Sequence, residues 1–123
     1  MCIRDRDLSL STPAEDLPFG LGAPYWLSCR NIDPVGTVKR LDKPVLLLQG
    51  ARDYQVTVAD DYEKWAAELK GKKGVEFKVY DKLNHLFIAG EGVSTPAEYE
   101  VPGNVDEQVI RDISDWVKKC CKS

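Results

Sequence analysis

Two short stretches of this chain carry the residue types of acid–base chemistry. Gln49-Gly50-Ala51-Arg52-Asp53 closes an apolar run, and Leu83-Asn84-His85-Leu86-Phe87 follows the next strand-like run. The first ends on a carboxylate; the second holds the only histidine in the chain. A carboxylate that accepts the Nδ1 proton of an imidazole fixes its tautomer and stabilises the imidazolium. Nε2 is then left to take a proton from a hydroxyl or thiol. Alone, Asp53 reads more simply as a turn residue after a glycine, and His85 as a hydrogen-bonded loop histidine. Their joint placement after consecutive strands favours the pair.

The surrounding pattern supplies those strands. Val45-Leu46-Leu47-Leu48 is apolar without alternation, which predicts a strand buried on both faces, and Gly50 permits a sharp exit. Thr57 can cap a helix with Asp60 and Asp61 in its first turn. Val58, Tyr62, Trp65 and Leu69 would form its apolar face. Val75, Phe77 and Val79 alternate with polar neighbours, as in a strand near a sheet edge. A strand–helix–strand order implies a right-handed crossover and a parallel pair, with both strands ending on one side. Parallel neighbours lie about 4.8 Å apart, so the loops leaving them can bring Asp53 and His85 together. Ligand sites in such sheets lie at that carboxyl edge.

Flanking segments read as follows. Asp33-Pro34 starts a short helix, Lys39-Arg40 suit its end, and Lys43-Pro44 stops it. The last helix begins near Asn104, with Glu107 at capping-box spacing and Val109, Ile110, Ile113, Trp116 and Val117 as its buried stripe. From Ser9 to Ile32, Pro13, Pro18, Gly20, Gly22 and Pro24 predict irregular structure. Phe19, Tyr25, Trp26 and Leu27 in that segment must cover a core or roof a pocket, the core being the default. Met1-Cys2-Ile3-Arg4-Asp5-Arg6 fits nothing after it. The expected organisation is a non-native leader over 1–7, an irregular segment over 8–32 and an α/β region over 33–123.

Composition narrows the function classes. The net charge of −3 gives no basic footprint, which disfavours nucleic acid. The apolar run Pro44 to Leu48 is far too short for a bilayer, and no apolar signal-peptide core lies near Met1. Cys2, Cys29, Cys120 and Cys121 form no Cys-x-x-Cys pair, and one histidine is poor material for zinc. Vicinal Cys120 and Cys121 could form a redox pair; free thiols in a reducing, cytoplasmic compartment are the simpler expectation.

Pro44 to Val56, with its Gln49-Gly50-Ala51-Arg52-Asp53-Tyr54-Gln55-Val56 stretch, resembles the acid-bearing turn of the α/β-hydrolase family. Asn84-His85-Leu86-Phe87 is similar to that family's histidine loop, especially in dienelactone hydrolases, acyl esterases and serine peptidases of the prolyl-oligopeptidase type. The similarity covers roughly Asp33 to Lys119. It implies a fold class: α/β, the C-terminal portion of an α/β-hydrolase, with two parallel strands and flanking helices. It implies Asp53 and His85 as triad acid and base, a small-molecule or peptide acyl substrate, and no metal or organic cofactor. The segment bearing Tyr25 and Trp26 would descend from a lid, making those residues substrate-binding.

The chain departs from that family in one respect. The family's nucleophile sits on a Gly-x-Ser-x-Gly elbow before the acid and histidine. None of Ser9, Ser11, Ser28, Ser94, Ser114 and Ser123 stands in that pattern. The elbow is expected upstream of this chain, which would then be inactive alone. The rival expectation is a non-catalytic binding or scaffolding module with the same α/β layout. Tyr54 either lines a pocket or packs, and Glu91, Glu98 and Glu100 are expected to form a solvated loop rather than supply a second acid.

Overall fold

The computed structural model describes residues 8–121. The leader-like residues 1–7, with Cys2, and Ser123 lie outside the described residues. Two compact units divide between Thr37 and Val38.

In the first unit, turns of 3-10 helix at Ala14–Asp16 and Pro18–Gly20 precede α1 (Ala23–Arg30). The irregular structure expected here thus gives way to a helix. Pro24 falls in its first turn, where the missing N–H is not needed and the fixed φ favours helix. Leu8, Leu17 and Ala23 are buried, with Trp26 and Leu27 packed against them. Phe19 does not join them and is 92% exposed. α2 (Pro34–Arg40) starts as the sequence suggests, with the Gly36 N–H donating to Asp33 Oδ1 at 2.8 Å.

The second unit carries β1 (Val45–Gly50), a π-wound turn at Val58–Tyr62 leading into α3 (Glu63–Glu68), β2 (Val75–Tyr80), a 3-10 turn at Pro96–Glu100, and α4 (Glu107–Cys121). Thr57 caps the first of these helical segments, its Oγ1 accepting from the Asp60 N–H at 3.0 Å. The Tyr62 N–H also reaches the Thr57 carbonyl, which winds the opening turn wider than an α-helix. Leu69 is buried, and Tyr62 meets Phe77 edge to face at 5.8 Å, seating this helix on the sheet.

β1 and β2 are parallel and in step, from Val45 opposite Val75 to Gly50 opposite Tyr80. Val45 to Leu48 are only half-buried, not buried on both faces as their apolar run suggests. A two-stranded sheet has two open edges and little to cover them. α4 departs from expectation in the same sense. Val109 is buried, whereas Ile110, Ile113 and Val117 are 56%, 42% and 46% exposed. The helix opens at Glu107 rather than near Asn104, because Asp106 is the residue whose side chain accepts from the Gln108 N–H, at 2.8 Å. Polar ties hold α4 to β2: Tyr80 donates to Asp112 at 2.8 Å, and Lys119 meets Glu76 at 2.6 Å. Among the described residues no helix is long and apolar enough to cross a membrane.

The ladder continues beyond the strands. The Ala51 N–H donates to Tyr80 O at 2.9 Å and the Arg52 N–H to Leu83 O at 3.0 Å. The two exiting loops therefore run against each other at Gly50. A Cβ there would lie 2.5 Å from Leu83 O and 2.6 Å from Asn84 O, both rigid backbone atoms. Gly50→Ala should destabilise the second unit by about 1–3 kcal/mol, read from urea denaturation. A midpoint unchanged from the parent would contradict this close approach.

Candidate active site

The acid turn is built by its own side chains. Gln49 is buried, and its Nε2 donates to Gly50 O at 2.9 Å and to Val56 O at 2.8 Å, tying the two ends of the turn. Asp53 Oδ1 accepts from the N–H groups of Gln55 and Val56 at 2.9 and 3.0 Å. Such a local turn suits an aspartate after a glycine. It also orients the carboxylate, leaving Oδ2 for another partner.

That partner is the imidazole. His85 Nδ1 lies 2.8 Å from Asp53 Oδ2. An ionised carboxylate only accepts, so Nδ1 carries the proton. Nε2 is the ring nitrogen left for a further proton transfer. The Asp53 side chain is 6% exposed and that of His85 38%. Burial alone would push the Asp53 carboxyl up. The N–H of Val56, the His85 ring and the N–H of Gln55 together outweigh burial and hold it below the usual carboxylate range.

Asn84 shapes the histidine loop. It is 1% exposed, and its Oδ1 accepts from the N–H groups of Leu86 at 3.0 Å and Ile88 at 3.1 Å. The Phe87 N–H donates back to Asn84 O, so His85 and Leu86 form the crest of a tight turn. Phe87 adopts a left-handed backbone, φ 56°, unusual for an aromatic residue. The Asn84 bonds, an edge-to-face contact with Tyr80 at 6.1 Å, and the Asp106 N–H donating to Phe87 O hold it there.

The structure thus brings Asp53 and His85 together. Tyr25 and Trp26 lie on α1 in the first unit, their rings meeting edge to face at 5.1 Å. Tyr54 packs, stacking on Tyr99 with 6.1 Å between centroids, and stays 37% exposed. Glu98 corrects the expectation of a solvated loop: it pairs with Arg52 and accepts from Asn84 Nδ2 and Ser94 Oγ. Bonds from Asn84 and Arg52 hold its carboxyl low. The structural parts played by Asn84, Arg52 and Glu98 had no signal in the sequence beyond the first two flanking the acid and the histidine. Cys29, Cys120 and Cys121 are free thiols. Among the described residues no group of three His, Cys, Asp or Glu side chains is placed to hold a metal ion.

The chain is 47% identical over 107 residues to Esterase EstD of Thermotoga maritima. The match covers 87% of this chain and 26% of that protein, so the chain spans about a quarter of the relative's length. Over this stretch the chain is homologous to part of an esterase. No protein-family profile and no solved structure matches it.

Folding holds Asp53 ionised where an unfolded aspartate takes up a proton, so around pH 4 the unfolded state binds more protons. Asp53 therefore contributes stability at neutral pH that is lost as pH falls through its lowered value. Asp53→Asn should flatten the rise of unfolding free energy with pH across the acid range in which free aspartates titrate, measured by urea titration at each pH. A slope identical to the parent's would mean that the carboxylate is not held as described.

Proposed function

We propose that this chain is the acid-and-histidine portion of a serine hydrolase of the α/β-hydrolase type, acting on an ester or related acyl bond. The observation that carries the reading is the 2.8 Å contact between His85 Nδ1 and Asp53 Oδ2 beyond the ends of two parallel strands. The similarity to an esterase supports the hydrolytic class and favours an ester over an amide. The nucleophile would come from a Gly-x-Ser-x-Gly elbow outside this sequence. The family resemblance implies Tyr25 and Trp26 as substrate-binding residues of a lid-derived segment.

In this reading Nε2 of His85 removes the proton from the nucleophile as its oxygen attacks the acyl carbon. Asp53 stabilises the imidazolium that forms. The ring then returns the proton to the departing alkoxide, leaving an acyl-enzyme. Water, deprotonated by the same nitrogen, releases the acid and restores the nucleophile. No metal or organic cofactor enters these steps.

The test uses a longer protein that contains both this chain and a serine elbow. His85→Ala and Asp53→Asn should each lower kcat for a simple ester by about 10³-fold or more, with KM within a few-fold of the parent. Fluorophosphonate labelling of the serine should fall with them. Undiminished turnover in both variants would sink the assignment and leave a binding or scaffolding role.

A further inference from the structure

Glu98 is remote in sequence from both loops of the site, yet it bonds to each. One carboxylate oxygen pairs with Arg52 Nη2. The other accepts from Asn84 Nδ2 at 3.1 Å and from Ser94 Oγ at 2.9 Å. Arg52 immediately precedes the acid, and Asn84 immediately precedes the histidine. Arg52 is itself anchored, with Nε donating to Gly92 O at 2.7 Å, Nη2 to Glu91 O at 3.0 Å, and a side chain only 7% exposed. The next residue on the same turn, Tyr99, stacks on Tyr54 and accepts from Gln55 Nε2 at 2.9 Å. The Pro96–Glu100 turn therefore grips residues on both sides of Asp53 and the residue before His85.

We propose that Glu98 is a positioning residue for the Asp53–His85 pair, its carboxylate joining Arg52 to Asn84 and so setting the separation of the acid turn from the histidine turn. This rests on the reading of Asp53 and His85 as catalytic acid and base. The Nδ1–Oδ2 bond alone is a single side-chain link between two loops, and the ring at one end is partly open to solvent. Displacements of about 1 Å are enough to spoil proton transfer, so a side-chain link added to the backbone bond between the Arg52 N–H and Leu83 O has a direct effect on the pair. Glu98 does not compete for the imidazole: both of its oxygens are engaged, and Arg52 balances its charge. Its hydrogen bond to Asn84 reaches the side chain whose other end fixes the Leu86 and Ile88 amides around His85. A local disturbance at Glu98 therefore passes to the crest of the histidine turn.

One histidine per chain makes the test direct on the 123-residue polypeptide itself. In a ¹⁵N-labelled sample the single imidazole should give a downfield Nδ1–H resonance protected by its carboxylate acceptor. Asp53→Asn should abolish it; persistence in that variant overturns the pairing on which the functional reading stands. Glu98→Ala should leave the β1 and β2 amide signals in place while the Nδ1–H exchanges with water at least about tenfold faster. An unchanged Nδ1–H exchange rate in Glu98→Ala, with the Asp53→Asn effect present, overturns the positioning role alone. Should Glu98→Ala also lose the strand amides, Glu98→Gln decides: faster imidazole exchange on an intact sheet supports the proposal, and parental exchange overturns it.

Discussion

A buried carboxylate is the constraint around which this site is arranged. Asp53 is withdrawn from water, and withdrawal by itself favours its neutral form. Three donors reverse that: two backbone N–H groups of its own turn and the Nδ1–H of His85. The imidazole thus contributes to keeping the acid charged, and the charged acid in turn fixes the tautomer of the imidazole. Each member of the pair determines the state of the other.

The backbone makes this possible before any side chain is considered. β1 and β2 end in step, so the loops that leave them start at one level of the sheet. Their carbonyls and amides continue to pair past the last ladder residues, and Gly50 lets the chains approach more closely than a side chain would allow. Asn84 then closes the histidine loop from within, and Gln49 closes the acid turn from within. Phe87 in its left-handed conformation is the strained point of this arrangement, held by contacts on several sides.

The parts of this arrangement that depend on local pattern could be read from sequence. Val45 to Leu48 announce a strand by apolar continuity, Val75 to Val79 by alternation, and Thr57 marks the following helix by its hydroxyl. The pairing of Asp53 with His85 is legible because two parallel strands put both residues at one rim. Features set by distant neighbours, or by a choice between equivalent local signals, are not legible in this way. Pro24 reads as a breaker because its place in the first turn of α1 is invisible without the helix. Ile110, Ile113 and Val117 have the spacing of a buried stripe, but burial needs a covering element, and periodicity does not say whether one is present. Glu98 carries an ordinary loop composition, and its partner Arg52 is 46 residues away, so no window of sequence joins them. Asp106 displaced Asn104 as the cap of α4 because either residue type suits the position.

The in-step ladder also bears on how the chain can vary. The crossover between Thr57 and Gly74 touches the pair only by delivering β2 beside β1 at the right residue. So long as Tyr62 and Leu69 keep their seats on the sheet, outward residues such as Lys64 and Lys73 can change without moving the Asp53–His85 pair. One residue added between Val45 and Gly50 or between Val75 and Tyr80 would instead put every later side chain of that strand on the opposite face. Drift in the connector is harmless, and a slip within either strand dismantles the site.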